Sequence, residues 1–322
     1  MCDVMDDFGA TSMSNPTERV VAVIDFLTAN PFDAFTLSEL ARRLQMSKST
    51  CRAVLSTLAR AGYVGLDASG GYSLGPAVVA VGNAFAARLP VLPAAHDAMH
   101  RLFDATSVGC AALARSSDQI IIVGRVGLVD PLAQVARFGH RTPLIAPLGS
   151  ALVAWADPSV YRGWLGRGLD AARRVGLDDD HVVLLGARYE SLIETVRERG
   201  FSVSLETPAD LELQASLRAD VLRRRGNSDA QPAMGRYAEA LATQEFGLDH
   251  IEVRRSYDVR SIVAPVFDRD GGASMALSLE GFRWNLRGSE ITELAHQLLT
   301  EVERLGATIG VRTPRYRGAH NS

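Results

Sequence analysis

Lys48, Ser49, Thr50, Arg52 and Ser56 lie within one short stretch and combine two cations with three short hydroxyls. Such a set can donate hydrogen bonds to base edges and phosphates of a duplex, which is the chemistry of groove readout. Their spacing follows from the residues between them. Ser47 is a good N-cap, and Cys51, Val54, Leu55 and Leu58 fall at i, i+3, i+4 and i+7, so one helical face turns to a core and the donors turn outward. A second helix precedes it. Thr36 with Glu39 three residues later reads as a capping box, Leu37, Leu40, Ala41 and Leu44 form its apolar stripe, and Gln45 and Met46 interrupt the pattern. Residues 36–62 therefore read as a helix-turn-helix. Within them five basic residues (Arg42, Arg43, Lys48, Arg52, Arg60) face one acid, Glu39, a local charge of +4 in a chain of net charge −3. Counterion release favours such a patch on a phosphate backbone, while the acidic remainder limits indiscriminate sticking.

The elements that must hold this pair are legible on both sides. Upstream, Val20, Val23, Ile24 and Leu27 have helical spacing in residues 16–29 and supply a third helix. Downstream, residues 63–75 read as two short strands around Ala68-Ser69-Gly70-Gly71, a wing whose glycines permit a tight hairpin. Tyr72, on the returning strand, is placed near a phosphate or the minor groove. Thr36, Arg42, Arg43, Ser47, Lys48, Ser49, Thr50, Arg52, Ser56 and Tyr72 are the expected DNA contacts.

A length of 322 residues, 47% of them hydrophobic, suits two globular domains. Three scattered cysteines (Cys2, Cys51, Cys110) give no disulfide framework and point to a reducing cytoplasm. No apolar run reaches a membrane span, and the acidic start MCDVMDD lacks the basic beginning of a signal peptide. Residues 1–13 and 313–322 read as tails, 14–76 as the winged domain, 77–106 as linker helices, and 107–312 as a second domain. The first half of the linker is rich in small and apolar residues, as a helix covered by a partner would be, and Pro90 and Pro93 divide it in two.

The second domain alternates strand signals (109–114, 119–126, 132–138, 201–205, 259–267, 274–279) with helix signals (150–156, 158–167, 182–199, 289–309). This α+β pattern predicts an antiparallel sheet flanked by helices, with Asp157-Pro158 opening one of them. Residues 207–250, with Arg223-Arg224-Arg225 and a helical run at 231–246, read as an insertion whose basic triplet is offset by nearby acids. Catalysis finds no support. His140, His181, His250 and His296 stand alone, no His/Cys cluster has metal-ligand spacing, and no nucleophile elbow or phosphate loop occurs. Asp268-x-Asp270-Gly271-Gly272 resembles the start of a calcium loop, but Leu279 occupies the twelfth position, so a hairpin turn is expected. No cofactor, metal or enzymatic activity is expected.

Residues 16–76, with their TLSELARRL, SKST and GYSLGP segments, resemble the winged helix of the IclR family of bacterial transcriptional regulators. Residues 260–281, RSIVAPVFDRDGGASMALSLEG, resemble that family's effector-domain hairpin, and residues 137–155 its strand, loop and helix at the effector pocket. The resemblance implies a winged helix-turn-helix, a linker helix that helps build a dimer, and a GAF-like effector domain. It implies a cytoplasmic regulator that binds a near-palindromic operator in double-stranded DNA as a homodimer, with pairing into tetramers and contact with RNA polymerase left open, and no membrane partner. A small effector of unknown identity would meet Ala146, Leu148, Gly149 and Ser150 on the loop, Ser261 on the first hairpin strand, and Ser278 and Glu280 on the second. The backbone N–H groups of Gly149 and Ser150, opening a helix, would form an anion site. Relative to the family, the loop is one residue shorter, Ser150 replaces a common lysine, Ser261 a common cysteine, and Glu280 a small residue or serine. Since Ser278 and Glu280 share a strand face, Glu280 would bring a carboxylate into the cavity and repel acidic ligands unless protonated or paired. That predicts a neutral, donor-bearing or cationic ligand, apolar or aromatic in body. The alternative sends Glu280 to solvent or pairs it with Arg283. Two other functions remain open, a small-molecule-binding protein or enzyme of GAF-like fold, and a winged helix used for protein contacts.

Overall fold

The structure, a computed structural model, describes residues 15–88, 91–127, 141–208, 246–282, 285–311 and 316. The N-terminal tail, the C-terminal tail apart from Tyr316, the strand expected at 132–138, the Arg223–Arg225 triplet, the helix expected at 231–246 up to residue 245, Pro90, His140 and Arg283 lie outside the described residues. Tyr316 is buried in the core of the second unit and is no loose tail. The chain divides into two compact units, the first ending at Ala87 and the second beginning at Arg88. The division falls inside the expected connector.

In the first unit, α1 (Pro16–Ala29) is capped by Asn15, whose side chain accepts from Thr17 N–H. Then come β1 (Phe35–Thr36), α2 (Leu37–Arg43), α3 (Lys48–Arg60), β2 (Val64–Leu66), β3 (Gly71–Leu74) and α4 (Ala77–Arg88). Val23, Phe26, Leu27, Leu40, Leu55 and Leu58 meet in one core. The wing has a strand more than its sequence suggests. β1 adds to β3, with Phe35 opposite Tyr72, in the order β1-β3-β2.

In the second unit, α5 (Val91–Thr106) leads into β4 (Gly109–Ser116), β5 (Gln119–Val126), β6 (Arg141–Pro143), α6 (Ser150–Val153), α7 (Pro158–Arg174), α8 (Asp179–Arg199) and β7 (Ser202–Leu205). A short pair, β8 (Ser256–Tyr257) with β11 (Leu286–Arg287), brackets the hairpin of β9 (Val259–Phe267) and β10 (Ala273–Glu280), and α9 (Gly288–Thr308) follows. Six strands form one antiparallel sheet in the order β6-β5-β4-β10-β9-β7. One face carries Cys110, Ile262, Ala264 and Leu277 against Met99 and Leu102 of α5 and Leu298 and Val302 of α9. The other carries Ile120 and Ala276 against Leu152, Trp164, Tyr189 and Ile193 of α6 to α8. The fold is the expected α+β arrangement of winged helix, linker helix and helix-flanked antiparallel sheet.

Helix limits depart from the sequence pattern where long-range packing overrides it. α6 is a single turn where seven residues are expected, and α7 continues to Arg174 through three glycines. Asp157 stands at the N-cap of α7 but makes no side-chain capping bond. At the near end of the expected insertion, residues 246–248 run along β7, with Leu205 N–H donating to Phe246 O at 2.7 Å and Leu248 N–H to Val203 O at 3.1 Å. Arg199 fixes this return. It donates to Phe201 O at 2.6 Å and Leu248 O at 2.8 Å and lies 4.9 Å from the Phe201 ring, and burial lowers its pKa to about 10.

Candidate nucleic-acid interface and effector face

The local hydrogen bonds that shape the first unit are those its sequence requires. Thr36 Oγ1 accepts from Glu39 N–H at 3.3 Å, and Glu39 returns a carboxylate to Thr36 N–H at 2.9 Å. Those bonds hold the Glu39 carboxyl below its ordinary range. Leu44 N–H completes α2, Gln45 takes a left-handed φ of 52°, and Ser47 accepts from Thr50 N–H at 3.1 Å to open α3. Cys51, Leu55 and Leu58 are buried beneath. Lys48, Ser49, Arg52 and Ser56 are left exposed on the opposite side.

Several expected contacts are placed differently. Arg43 is half-buried, its guanidinium 5.0 Å from the Phe35 ring and 5.7 Å from Phe26, so it closes the core instead of extending outward. Arg42 is exposed; Thr36 and Ser47 are exposed but engaged as caps, and half-buried Thr50 shares its hydroxyl with Ser47 at 2.8 Å. Tyr72 is half-buried against the core. Ala53 and Thr57, not among the expected contacts, are exposed beside Arg52 and Ser56. Their signal is the same helical period.

The wing turn is built by Asp67, whose Oδ1 accepts from Ser69 N–H at 2.8 Å and Gly71 N–H at 2.8 Å, while Gly70 takes φ 83°. Asp268 repeats the device between β9 and β10, accepting from Asp270 N–H at 3.1 Å and Gly272 N–H at 2.9 Å, with Gly271 at φ 80°. The D-x-x-G-G spacing thus makes hairpins in both units, and the second is a turn as expected.

In the second unit, Ser261, Ser278 and Glu280 share one face of the sheet, Glu280 opposite Ser261 and Ser278 opposite Val263. Ser202 and Ser204 of β7 join them, opposite Val263 and Ser261. The alternation of serine with core-facing Val203 and Leu205 was their available signal. Glu280 is not an isolated carboxylate. It accepts from Nε of Arg125 at 2.9 Å and also from Arg125 Nη2, and Arg125 has 8% of its side chain exposed against 24% for Glu280. The expected repulsion of acidic ligands loses its basis, because a carboxylate neutralised by a cation repels weakly. Among the described residues the partner is Arg125; Arg283, the expected one, lies outside them. Arg260 lies close by; burial lowers its pKa, while the carboxylates of Glu206 and Glu280 act against that shift. Neither arginine could be assigned from spacing, since each meets its acids through strand pairing.

The loop before α6 is placed less as expected. Gly149 takes φ 78°, and a Cβ there would meet Leu144 Cδ1 at 2.6 Å and Ile120 Cδ1 at 2.8 Å. Ala146 packs against Gly168 of α7, where an added Cβ would meet it at 2.5 Å, so its side chain is occupied in the core. Leu148 is buried, and its carbonyl accepts from Trp164 Nε1 at 2.7 Å. Ser150 is buried at the start of α6, which packs against β9 and β10. A one-turn helix has little dipole, so the expected anion site there has weak support. A separate cavity of about 770 Å³, between Phe103 and Val108 on one side and Leu286 and Leu294 on the other, includes none of the seven expected effector residues.

The chain thus combines a winged helix that has an exposed donor face with a helix-flanked sheet whose α6–α8 side holds buried serine hydroxyls and the Arg125–Glu280 pair among apolar residues. The family model for the IclR helix-turn-helix domain matches residues 16–68. The chain is 23% identical over 290 residues to the HTH-type transcriptional regulator BhcR of Paracoccus denitrificans, covering 89% of this chain and 85% of that one. It is 27% identical over 186 residues to the Pca regulon regulatory protein of Pseudomonas putida, a match spanning 57% of this chain and 60% of that protein's length. The crystal structure of the IclR transcriptional regulator from Alicyclobacillus acidocaldarius aligns with a TM-score of 0.59 at 22% identity, covering 91% of this chain and 97% of the other. Thermotoga maritima IclR aligns at 0.56 and 16% identity, covering 91% and 98%. Residues 16–68 thus match an IclR helix-turn-helix domain, and most of the chain is similar to transcriptional regulators and shares the fold of IclR proteins. Those relatives are regulators, and among the described residues no group of three or more His, Cys, Asp or Glu gathers that could hold a metal ion. No single described helix is long and apolar enough to cross a membrane.

Proposed function

We propose that this regulator binds a near-palindromic operator as a homodimer and that a small molecule on the polar sheet face alters that binding. The observation that carries the reading is the side of α3 presenting Lys48, Ser49, Arg52, Ala53 and Ser56 while Cys51, Leu55 and Leu58 anchor the other side. The N-terminal half of such a helix enters the major groove, so two copies would read half-sites about 34 Å apart or a multiple of that. The second copy is supported by α4, where Val79, Val81 and Phe85 are 63%, 53% and 51% exposed on one short helix. Val81 and Phe85, four residues apart, share one side of that helix, and exposed apolar side chains there favour burial against a partner.

For the effector, Arg125 and Glu280 offer paired charge with the half-buried Ser261 hydroxyl beside it, while Ser278 is buried behind them. A ligand with a polar group and an apolar body suits that face, and charge of either sign must compete with the existing pair. A fold neighbour from Microbacterium hydrocarbonoxydans, 17% identical, was solved with 4-hydroxybenzoate, which supports a small-molecule role for the fold. To change operator affinity tenfold, the effector must prefer one DNA-binding state by about 1.4 kcal/mol.

The test is selection of bound fragments from genomic DNA, followed by anisotropy titrations at several salt concentrations. The reading expects a palindromic consensus and binding that falls steeply with salt above a sequence-specific component. Equal affinity for selected and random duplexes would defeat it.

A further inference from the structure

We propose that His96 and His100 form a two-histidine chelate for a divalent transition metal on the exposed side of α5. They sit four residues apart on one helix, both exposed, with their Nε2 atoms 3.1 Å apart and their ring centroids 4.6 Å apart at 76°. Residues i and i+4 occupy one helical face, so this spacing is built into the sequence HDAMH.

The separation fits a metal. With bonds of about 2.0 to 2.1 Å, two nitrogens 3.1 Å apart subtend about 98° at the ion, between the tetrahedral and square or octahedral cis angles. Without an ion, one ring must be the N–H donor and the other the acceptor. A metal takes a lone pair from each Nε2 in place of that shared proton, and neutral imidazole is the form it binds. The scaffold is already set. Ala95, Ala98, Met99 and Leu102 bury the opposite side of α5, so the two rings need little reorganisation.

The surrounding charge is permissive. Arg101, next to the pair, is directed to Glu301 of α9 at 2.8 Å, and the exposed carboxylates of Asp97 and Asp104 lie on the same helix. Among the described residues no group of three or more ligating side chains gathers. Water therefore completes the shell, and the site takes borderline ions (nickel, copper, zinc) that favour imidazole over the oxygen-seeking magnesium and calcium.

The experiment titrates Ni²⁺ into the full chain in a Cys2→Ser background, by calorimetry and by thermal unfolding. One ion per chain is expected, with a rise in Tm because the ion binds the folded helix and not the unfolded chain. His96→Ala and His100→Ala should each weaken binding roughly tenfold or more and remove the Tm rise. His181→Ala, at an exposed histidine held by Asp178, should leave both unchanged. Because both rings are exposed, the variants should keep the metal-free Tm. Binding equal in wild type and His96→Ala, or lost instead in His181→Ala, would overturn the proposal.

Discussion

The outer side of α3 and the polar side of the β9–β10 hairpin both gather charges and hydroxyls, yet they use them in opposite ways. On α3, Lys48 and Arg52 project into solvent, and the order of the helix comes from the buried stripe behind them. On the sheet, Glu280 and Arg125 hold each other across 155 positions of sequence. An interface for a polyanion needs cations whose partner arrives from outside, because counterion release drives the binding. An interior face cannot keep an uncompensated charge, because desolvation would shift or neutralise it. On the proposed reading the first surface serves affinity at little structural cost, and the second serves the stability of the domain that carries it.

The sharpest test of that contrast is Glu280→Ala, which removes one carboxylate partner from the nearly buried Arg125. The expected loss is about 2 to 3 kcal/mol in urea unfolding, just below the cost of breaking a fully buried pair, because Glu280 is itself 24% exposed. A double variant, Arg125→Met with Glu280→Leu, should recover most of it. Unchanged unfolding midpoints in Glu280→Ala would mean that the pair is structurally idle.

Arg52→Ala should do the reverse. It should cost about 1 to 3 kcal/mol in operator affinity and leave the unfolding midpoint within about 0.5 kcal/mol of wild type. Equal losses on operator and random duplex would reassign Arg52 to a phosphate.

Thr36→Ala should remove about 1 kcal/mol of stability from the first unit through the lost capping box. It carries a pH signature. The folded Glu39 carboxyl sits below its ordinary 4.5, so its contribution is fully present above that value and disappears as pH falls through the lower, folded value. Acid titrations of wild type and variant should converge there.

Arg43→Ala is the smallest effect, about 0.5 to 1 kcal/mol of stability from the stack on Phe35 and Phe26. A larger effect on DNA affinity than on stability would return Arg43 to the interface.

What was legible beforehand follows the range of the interactions. The capping box of α2, the Ser47 cap, the buried stripe of α3 and both D-x-x-G-G turns rest on hydrogen bonds or spacings of four residues or fewer, and each is present. β5 and β9 match their expected limits residue for residue, because alternation or a continuous apolar run marks them. The length of α6, the third strand of the wing and the orientation of Ala146 depended on neighbours far along the chain.

By itself the sequence determined that a basic, hydroxyl-rich helical face exists near the N-terminus and that a D-x-x-G-G hairpin closes the second sheet. Local backbone geometry and helical period leave few alternatives for such segments. Tertiary structure alone decided that Arg125 neutralises Glu280, that Arg43 turns inward onto two aromatic rings, and that Ser202 and Ser204 stand beside Ser261. Strand register and burial select those contacts, and neither is encoded in the spacing of the residues that meet.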